Sequence, residues 1–161
     1  MEILNKEKKE KSTKLIKFQL LRFARRRRIL CKNGMYLAID KNGVHGTKDP
    51  KNPYADLQVL SIGSDMLAFW GTKACLYLAV NAQTGQIYTT PDEGQHCVFL
   101  ESITPDFYNF YESYRSVYDG QPQCLILNAQ NKLIIADTGT IIEKNGQFIW
   151  ELFDDAYEKY K

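Results

Sequence analysis

The sequence has few of the residues from which metal centres and catalytic sites are built. It contains two histidines, His45 and His96, and four cysteines that lie 44, 22 and 27 positions apart. These spacings include neither a CxxC redox pair nor a zinc-ligand pattern. No nucleophile with a nearby base is recognisable, and the carboxylates are scattered. We therefore expect no enzyme activity, no metal and no cofactor.

The four cysteines each lie beside apolar residues that are typical of strands. A free cysteine in such surroundings behaves as a small hydrophobic side chain. We therefore expect buried free thiols, with disulfides as the alternative. The residues concerned are Cys31, Cys75, Cys97 and Cys124.

Long apolar runs are also absent. No stretch reaches the roughly 20 residues of a membrane-spanning helix, so we predict no transmembrane segment. Apolar residues recur between positions 15 and 23, but Lys17, Gln19 and Arg22 interrupt them and four arginines follow. A cleavable signal peptide needs an unbroken apolar centre and a small-residue cleavage site. We predict no cleavable signal peptide, and an uncleaved export signal stays open.

The net charge of +2 hides a strong asymmetry. Residues 1–32 hold twelve Lys/Arg against three Glu, which gives +9, and the remaining 129 residues hold nine basic and sixteen acidic side chains, which gives −7. We interpret residues 1–28 as a basic arm, helical or disordered. A basic arm on an acidic body indicates an anionic partner, which on charge alone is a polysaccharide, a nucleic acid or a membrane surface.

The arm ends in four consecutive arginines, for which several interpretations stay open. They can serve as a nuclear address, a polyanion-binding patch, a processing site for basic-specific proteases or part of a basic helix lying on a membrane. A solvated tail without a specific role is the plainest alternative. The residues are Arg25, Arg26, Arg27 and Arg28.

A hairpin pattern recurs three times along the chain. It occurs at residues 35–47, 76–88 and 124–135, with a turn rich in Asn, Asp or Gly between two apolar strands. Corresponding residues are 41 and 48 positions apart, a period typical of repeat architectures. Further hairpins are predicted at 57–70, 99–111 and 141–153. About twelve strands in three repeats predict an all-β fold, a β-trefoil over residues 29–155, followed by a short tail at 156–161.

One aromatic segment and a set of apolar strand positions indicate an exposed surface and the core. The segment at residues 107–114 places aromatic side chains on both faces of a strand, so a large apolar surface should remain outside the barrel and mark a partner site. The candidate core residues are Ile39, Val59, Leu78, Val80, Phe99, Leu127 and Trp150.

Several motifs resemble those of the fibroblast growth factor family, in order over about residues 29–153. They are Cys-Lys-Asn-Gly at 31–34, Gly-Val-His-Gly-Thr at 43–47, Leu-Tyr-Leu-Ala-Val at 76–80, Cys-Val-Phe-Leu-Glu at 97–101 and Phe-Tyr-Asn-Phe-Tyr at 107–111. The resemblance implies a secreted β-trefoil growth factor. Its implied partners are the immunoglobulin-like ectodomain of a receptor tyrosine kinase and heparan sulfate, and not nucleic acid.

The resemblance also implies residues that contact the receptor. The family's carboxylate falls on Glu101, its tyrosine and asparagine on Tyr108 and Asn109, and its C-terminal apolar contact on Phe153. Leu30 stands where family members often have an aromatic residue, which weakens that contact. These side chains are expected to share one outer surface.

The implied heparan sulfate site is depleted of cations. Asn33 and Gln147 match its polar members, and Lys132 and Lys144 lie nearby. Where the family has lysines and arginines, this sequence has uncharged residues, namely Asn128, Ala129, Ile134 and Phe148. Sulfates are held by clustered cations in a salt-dependent manner, so we expect weak binding by the trefoil, with the arginines of the arm substituting.

An intracellular branch of the family, the homologous factors that bind voltage-gated sodium channel tails, is the alternative. The segments 46–49 and 71–77 resemble it, and it would place the protein in the cytoplasm or nucleus. Asn109 and Asp65 argue against it, because that branch typically has valine and arginine near these positions. We therefore expect the protein to be an extracellular receptor ligand and not a member of the intracellular branch.

Overall fold

The computed structural model describes residues 25–118, 121–137 and 144–152, which form twelve β-strands. Three-residue 3₁₀ helices lie at Pro53–Ala55, Gln95–Cys97 and Lys144–Gly146. The strands are β1 (Arg25–Cys31), β2 (Tyr36–Asp40), β3 (Gly43–Thr47), β4 (Leu57–Gly63), β5 (Met66–Gly71), β6 (Leu76–Val80), β7 (Ile87–Thr90), β8 (Phe99–Ile103), β9 (Asn109–Tyr118), β10 (Gln121–Leu127), β11 (Leu133–Asp137) and β12 (Phe148–Leu152).

Six of the strands close into a barrel. The antiparallel pairings run β1–β4, β4–β5, β5–β8, β8–β9, β9–β12 and back from β12 to β1. The other six form the hairpins β2–β3, β6–β7 and β10–β11. Each repeat therefore gives two strands to the barrel and one hairpin outside it, which confirms the predicted β-trefoil. Closure leaves the barrel strands without free edges.

The three outer hairpins share a turn chemistry that explains why their sequences are similar. An Asp or Asn at the end of the first strand accepts hydrogen bonds from backbone N–H groups two to four residues later, a common turn-forming contact. Asp40 accepts from Asn42 at 2.7 Å in the first hairpin. Asn81 and Asn128 do the same in the second and third. The predicted hairpins at these places are confirmed.

The core lies inside the barrel and under the hairpins. Six of the seven predicted core residues are buried, whereas Trp150 is only partly buried and packs against the others. Phe69 lies at the aromatic centre, with its ring centroid 5.7 Å from that of Phe99 and 5.0 Å from that of Tyr111. The three repeats comprise β1–β4, β5–β8 and β9–β12. Phe69 belongs to the second and Tyr111 to the third, so this contact joins two repeats that could not bury these faces alone.

The first strand begins four residues before residue 29, the predicted start of the trefoil, and includes the four arginines that were assigned to the arm. Arg26 forms a two-pronged contact with the buried Asp56, with nitrogen–oxygen distances of 2.6 and 3.1 Å. Arg28 donates to the carbonyl oxygen of Pro50 at 2.9 Å and lies 3.9 Å from Glu151. These contacts let a highly charged segment act as a barrel strand, because the charged groups find partners while the backbone joins the sheet.

Pairing on both edges should protect the arginine run from proteolysis. Arg25 and Arg26 pair with β4, and Arg28 pairs with β12, so neither edge is free to enter a protease cleft as an extended strand. We expect a protease specific for basic clusters to leave the bond after Arg28 intact in the folded protein. A synthetic peptide of residues 20–34 should be cut under the same conditions. Intact-mass spectrometry checks both, and a fragment that begins at Ile29, released from native protein, would contradict the expectation.

The cysteines are free thiols, and three of them are buried as expected. Burial raises the pKa of Cys97 to about 12, so this thiol stays protonated at neutral pH. The expectation of burial is wrong for Cys75. That residue occupies a turn between β5 and β6 with φ of +57°, and its side chain is exposed.

No helix of the described residues is long or apolar enough to cross a membrane.

Candidate functional site

Two of the predicted receptor-contacting residues lie on the outer face of the barrel, beside an apolar residue that was not predicted. Leu30 of β1 pairs with Ile149 of β12. The residue before Ile149, the buried Phe148, pairs with Asn109 of β9. Because side chains alternate along a strand, Ile149 of β12 points away from the core. Tyr108 immediately precedes β9 and is half-buried. We call Leu30, Tyr108 and Ile149 the outer-face patch. Ile149 is 41% exposed, and apolar area remains accessible there.

The β8–β9 connection carries two further exposed apolar side chains. Ile103 and Phe107 are 67% and 82% exposed, although both are large hydrophobic residues. Phe107 also has a φ of +68°, which a side chain with a Cβ adopts at a cost of about 1–2 kcal/mol. Several exposed apolar side chains close together are typical of a surface that binds a partner.

Lys32 fixes the conformation of this turn from the neighbouring β1–β2 connection. Its ammonium nitrogen lies 2.7 Å from Asp106, 3.3 Å from the side-chain oxygen of Gln147 and 4.7 Å from the ring centroid of Tyr108. The hydrogen bond with Asp106 raises the pKa of Lys32 and lowers that of Asp106. Within the turn, the Thr104 N–H donates to the Tyr108 carbonyl at 2.7 Å. The Tyr108 side chain is therefore held in place before any partner arrives.

Glu101 does not share the outer face with Tyr108. It pairs with Tyr111 across β8 and β9 and lies on the same face of β8 as the buried Phe99. The fully buried Tyr111 hydroxyl donates to the Glu101 carboxylate and accepts from Asn109 and from the Trp150 indole N–H, the last at 2.5 Å. The carboxylate therefore faces the open end of the barrel.

The electrostatics of Glu101 are unusual for a surface carboxylate. Burial raises its pKa, and the neighbouring negative charge of Asp65 raises it further, against the lowering effect of the Tyr111 hydrogen bond. One carboxylate oxygen, Oε2, is shielded from solvent and has no hydrogen-bond partner among the described residues. Burial, and then the charge of Glu101, raise the pKa of Tyr111 well above its usual value, so its hydroxyl remains a donor.

A cavity of about 260 Å³ lies at this open end, and we call it the barrel-mouth cavity. Glu101 and Asp65 bring negative charge to it and Arg25 brings positive charge. The remaining wall is largely apolar, formed by Val59, Ser61, Gly63, Met66, Leu67 and Trp150.

The predicted receptor-contacting set thus divides between two places. Leu30 and Tyr108 lie on the outer-face patch, Glu101 faces the barrel-mouth cavity, and Asn109 is hydrogen-bonded to the same Tyr111 hydroxyl as Glu101. Phe153 lies outside the described residues, as do residues 141–143 of the last predicted hairpin and the tail.

Three of the predicted heparan sulfate residues come together beside the β1–β2 turn. Asn33 is exposed and accepts from the Met35 N–H at 3.0 Å. Gln147 is 5% exposed and accepts from Lys32, while the exposed Lys144 accepts from the Cys31 thiol through its carbonyl oxygen at 3.2 Å. These positions offer few free charges for a sulfate.

The other predicted heparan sulfate residues lie elsewhere. Lys132 follows the β10–β11 turn, where its backbone bridges to His45 of β3. Arg26 and Arg28 contact Asp56, Pro50 and Glu151, as described for β1, and the Arg27 guanidinium donates to the Arg26 carbonyl at 2.8 Å. Arg25 lines the barrel-mouth cavity.

Sequence reasoning missed Ile149 and the linking role of Tyr111. Ile149 was detectable, because the apolar run at 148–150 places large side chains on both faces of β12, as in the aromatic segment. The role of Tyr111 was not, because its partners come from β8 and β12 and only the folded register brings them together.

The comparisons with known proteins agree on one family. A sequence model of the family described as "Fibroblast growth factor" matches residues 25–149. Human fibroblast growth factor 7 is 33% identical over 103 residues, which is 63% of this chain and 53% of the relative. The sheep protein of that name is 32% identical over 105 residues, or 65% and 54% of the two chains. The chain spans about half the length of the curated relatives that it matches.

Proposed function

Because the chain belongs to the fibroblast growth factor family, we propose that it is an extracellular signalling ligand. Its proposed partner is the ectodomain of a fibroblast growth factor receptor, a receptor tyrosine kinase that it would bind and activate. Matched relatives that are named as growth factors support this proposal. They give no support to the intracellular alternative, which we do not propose.

The observation that carries the proposal is the outer-face patch beside a fixed turn. Partner-binding surfaces combine exposed apolar and aromatic side chains with a polar rim, and tyrosine is a frequent anchor in them. Tyr108 is held by Lys32 and the Thr104 backbone, so docking would cost less conformational entropy than for a mobile side chain. Phe107 and Ile149 supply exposed apolar area close to it in the sequence and across the sheet.

Binding of the purified chain to immobilised receptor ectodomains tests the proposal directly. We expect saturable binding in surface plasmon resonance to at least one fibroblast growth factor receptor, and receptor phosphorylation in cells that express it. A folded chain that binds none of the receptor ectodomains, with and without added heparin, would contradict the proposal.

We further propose that heparan sulfate binding is weak and depends on the N-terminal segment. Two of the four arginines of β1 lie beside carboxylates, Arg26 beside Asp56 and Arg28 beside Glu151, so these two charges are partly neutralised. Residues 1–24 carry seven Lys/Arg against three Glu, a net charge of +4. Such a segment attracts a polyanion through charge in a salt-dependent way.

Removing residues 1–24 should therefore lower the salt concentration at which the protein elutes from immobilised heparin. The deletion stops before Arg25 because β1 begins there and its loss would open the barrel. As a matched control, Lys132→Gln with Lys144→Gln removes two trefoil charges and should have the smaller effect. Unchanged elution after the deletion, with an unchanged circular dichroism spectrum, would count against the role of this segment.

A further inference from the structure

We propose that residues 15–23 of this chain dock on an apolar rim at the barrel mouth and cover it. The occupant is a segment of the same chain that lies outside the described residues. This inference does not rest on the proposed function. We call the exposed apolar side chains at the end of the barrel where β1 begins the mouth rim, and they are Ile62, Ile103, Phe107 and Leu152.

The four side chains of the mouth rim lie at one end because every pairing in the barrel is antiparallel. The ends of β4, β8 and β12 and the starts of β1, β5 and β9 therefore lie together. On β4, Ile62 lies three residues beyond the one that pairs with Arg25 at the start of β1. Leu152 ends β12, and Ile103 and Phe107 lie on either side of the β8–β9 turn.

Two side chains of the mouth rim continue rows that face the core. Alternate residues of a strand share a face, and Ile103 follows Phe99 by four positions, as Leu152 follows Phe148. Both phenylalanines are fully buried, whereas Ile103 is 67% exposed and Leu152 is 69% exposed. The inner rows of β8 and β12 thus extend one layer beyond the part of the barrel that the described residues cover. Covering such apolar surface is favourable, because it removes that surface from water.

The segment before β1 is within reach of the mouth rim and has side chains suited to covering it. The described chain begins at Arg25, which lines the barrel-mouth cavity beneath the rim. Each residue spans at most about 3.5 Å of chain, so a segment that ends at Phe23 starts close to its docking surface. Six of the nine residues at 15–23 are apolar. Because large apolar side chains in water are unfavourable, this composition favours burial against the rim.

Charge favours this segment over residues 153–161, which also continue from the mouth rim. Residues 15–23 carry two basic side chains and no acidic one, whereas residues 153–161 carry three acidic and two basic, a net charge of −1. The cavity beneath the rim is lined by Asp65 and Glu101 against Arg25, which is one net negative charge when all are ionised. A positively charged segment is attracted to this end of the barrel, and a negatively charged one is repelled.

A spin label in the full chain tests the docking. Cys75→Ser removes the exposed thiol and the other cysteines are buried, so Lys17→Cys adds a single labelling site and keeps the apolar residues of the segment. With a nitroxide at position 17, the amide resonances of Ile62, Ile103 and Leu152 should lose intensity in nitrogen–proton correlation spectra. They should regain it when the nitroxide is reduced. Resonances that keep their full intensity would overturn the proposal.

Two pairs of substitutions show whether apolar contact holds the segment. In the labelled chain, Phe18→Ser with Leu21→Ser should abolish the loss of intensity at Ile62. Ile103→Ser with Leu152→Ser should abolish it as well, and both of these residues are exposed, so the core remains intact. A loss of intensity that survives both pairs would overturn the assignment of the mouth rim as the docking surface.

A mixed sample distinguishes docking within one chain from contact between two copies. It combines isotope-labelled protein that has no nitroxide with spin-labelled protein of natural isotope composition. Full intensity of the rim resonances in this mixture is the expected result, because each segment covers its own barrel. A loss of intensity as large as that in the singly prepared chain would overturn the proposal in favour of a dimer.

Discussion

Replacing Phe69 by alanine should lower the free energy of unfolding by about 3–5 kcal/mol, the cost typical of removing a buried phenylalanine. Phe69 is fully buried, and its ring contacts those of Phe99 and Tyr111. Since Tyr111 in turn packs on Phe148, the cavity would open where the second and third repeats meet. Urea denaturation followed by tryptophan fluorescence measures the change.

Phe107→Ala is the matched control for this prediction. It makes the same chemical change, but Phe107 is 82% exposed, so little contact with the core is lost. Both phenylalanine and alanine carry a Cβ, and the strain of the positive φ therefore remains in the variant. We expect a change within about 0.5 kcal/mol. Similar losses in the two variants would mean that the aromatic centre does not stabilise the trefoil as described.

Local chemistry explains why the trefoil could be predicted from sequence. The turn residues Asp40, Asn81 and Asn128 each accept backbone hydrogen bonds within four positions, so a hairpin is encoded in a few consecutive residues. Three such hairpins at a regular spacing leave few ways to bury the intervening strands. The number of strands and their closure into a barrel follow from that repetition.

Contacts between distant residues explain what could not be predicted. The four arginines from Arg25 resemble a solvated tail because their partners, Asp56 and Glu151, lie 30 and more than 100 positions away. Charge composition shows that such partners are needed, but not where they are. The exposure of Cys75 similarly depends on a left-handed backbone conformation at Cys75 itself. Such a conformation is usually predicted from a glycine, and Cys75 has no glycine next to it.

The candidate site was predicted as a set of residues but not as an arrangement. Strand alternation already separates the odd-numbered Glu101 and Phe99 from the even-numbered neighbours on β8, so an inward-facing Glu101 was derivable once the buried face was known. The sequence could not show which oxygen of Glu101 lacks a donor. Tyr111 meets Glu101, and Trp150 meets Tyr111, only through the pairing of β8, β9 and β12. The surroundings of Glu101 are therefore set by the pairing register of these three strands.

Replacing Tyr108 by alanine should weaken binding to the receptor ectodomain by about 2 kcal/mol or more, roughly 30-fold, as expected for a tyrosine anchor. The ring lies under the ammonium group of Lys32, so its removal takes away the aromatic anchor of the outer-face patch. Surface plasmon resonance should show the loss mainly as faster dissociation. Lys32→Met should cause a smaller loss, because Tyr108 remains but is no longer held.

Tyr88→Ala is the matched control for Tyr108→Ala. Tyr88 lies on β7, is 36% exposed and stacks on His96, so it is an accessible tyrosine outside the patch. Its removal should change receptor affinity less than about twofold, which corresponds to the small effect of most surface contacts. Tyr108→Ala and Tyr88→Ala could bind the receptor ectodomain with equal affinity while both keep the wild-type urea midpoint of unfolding. In that case the receptor-binding surface would have to lie away from Tyr108. Lys32 and Asp106 would then act only on the stability of the turn.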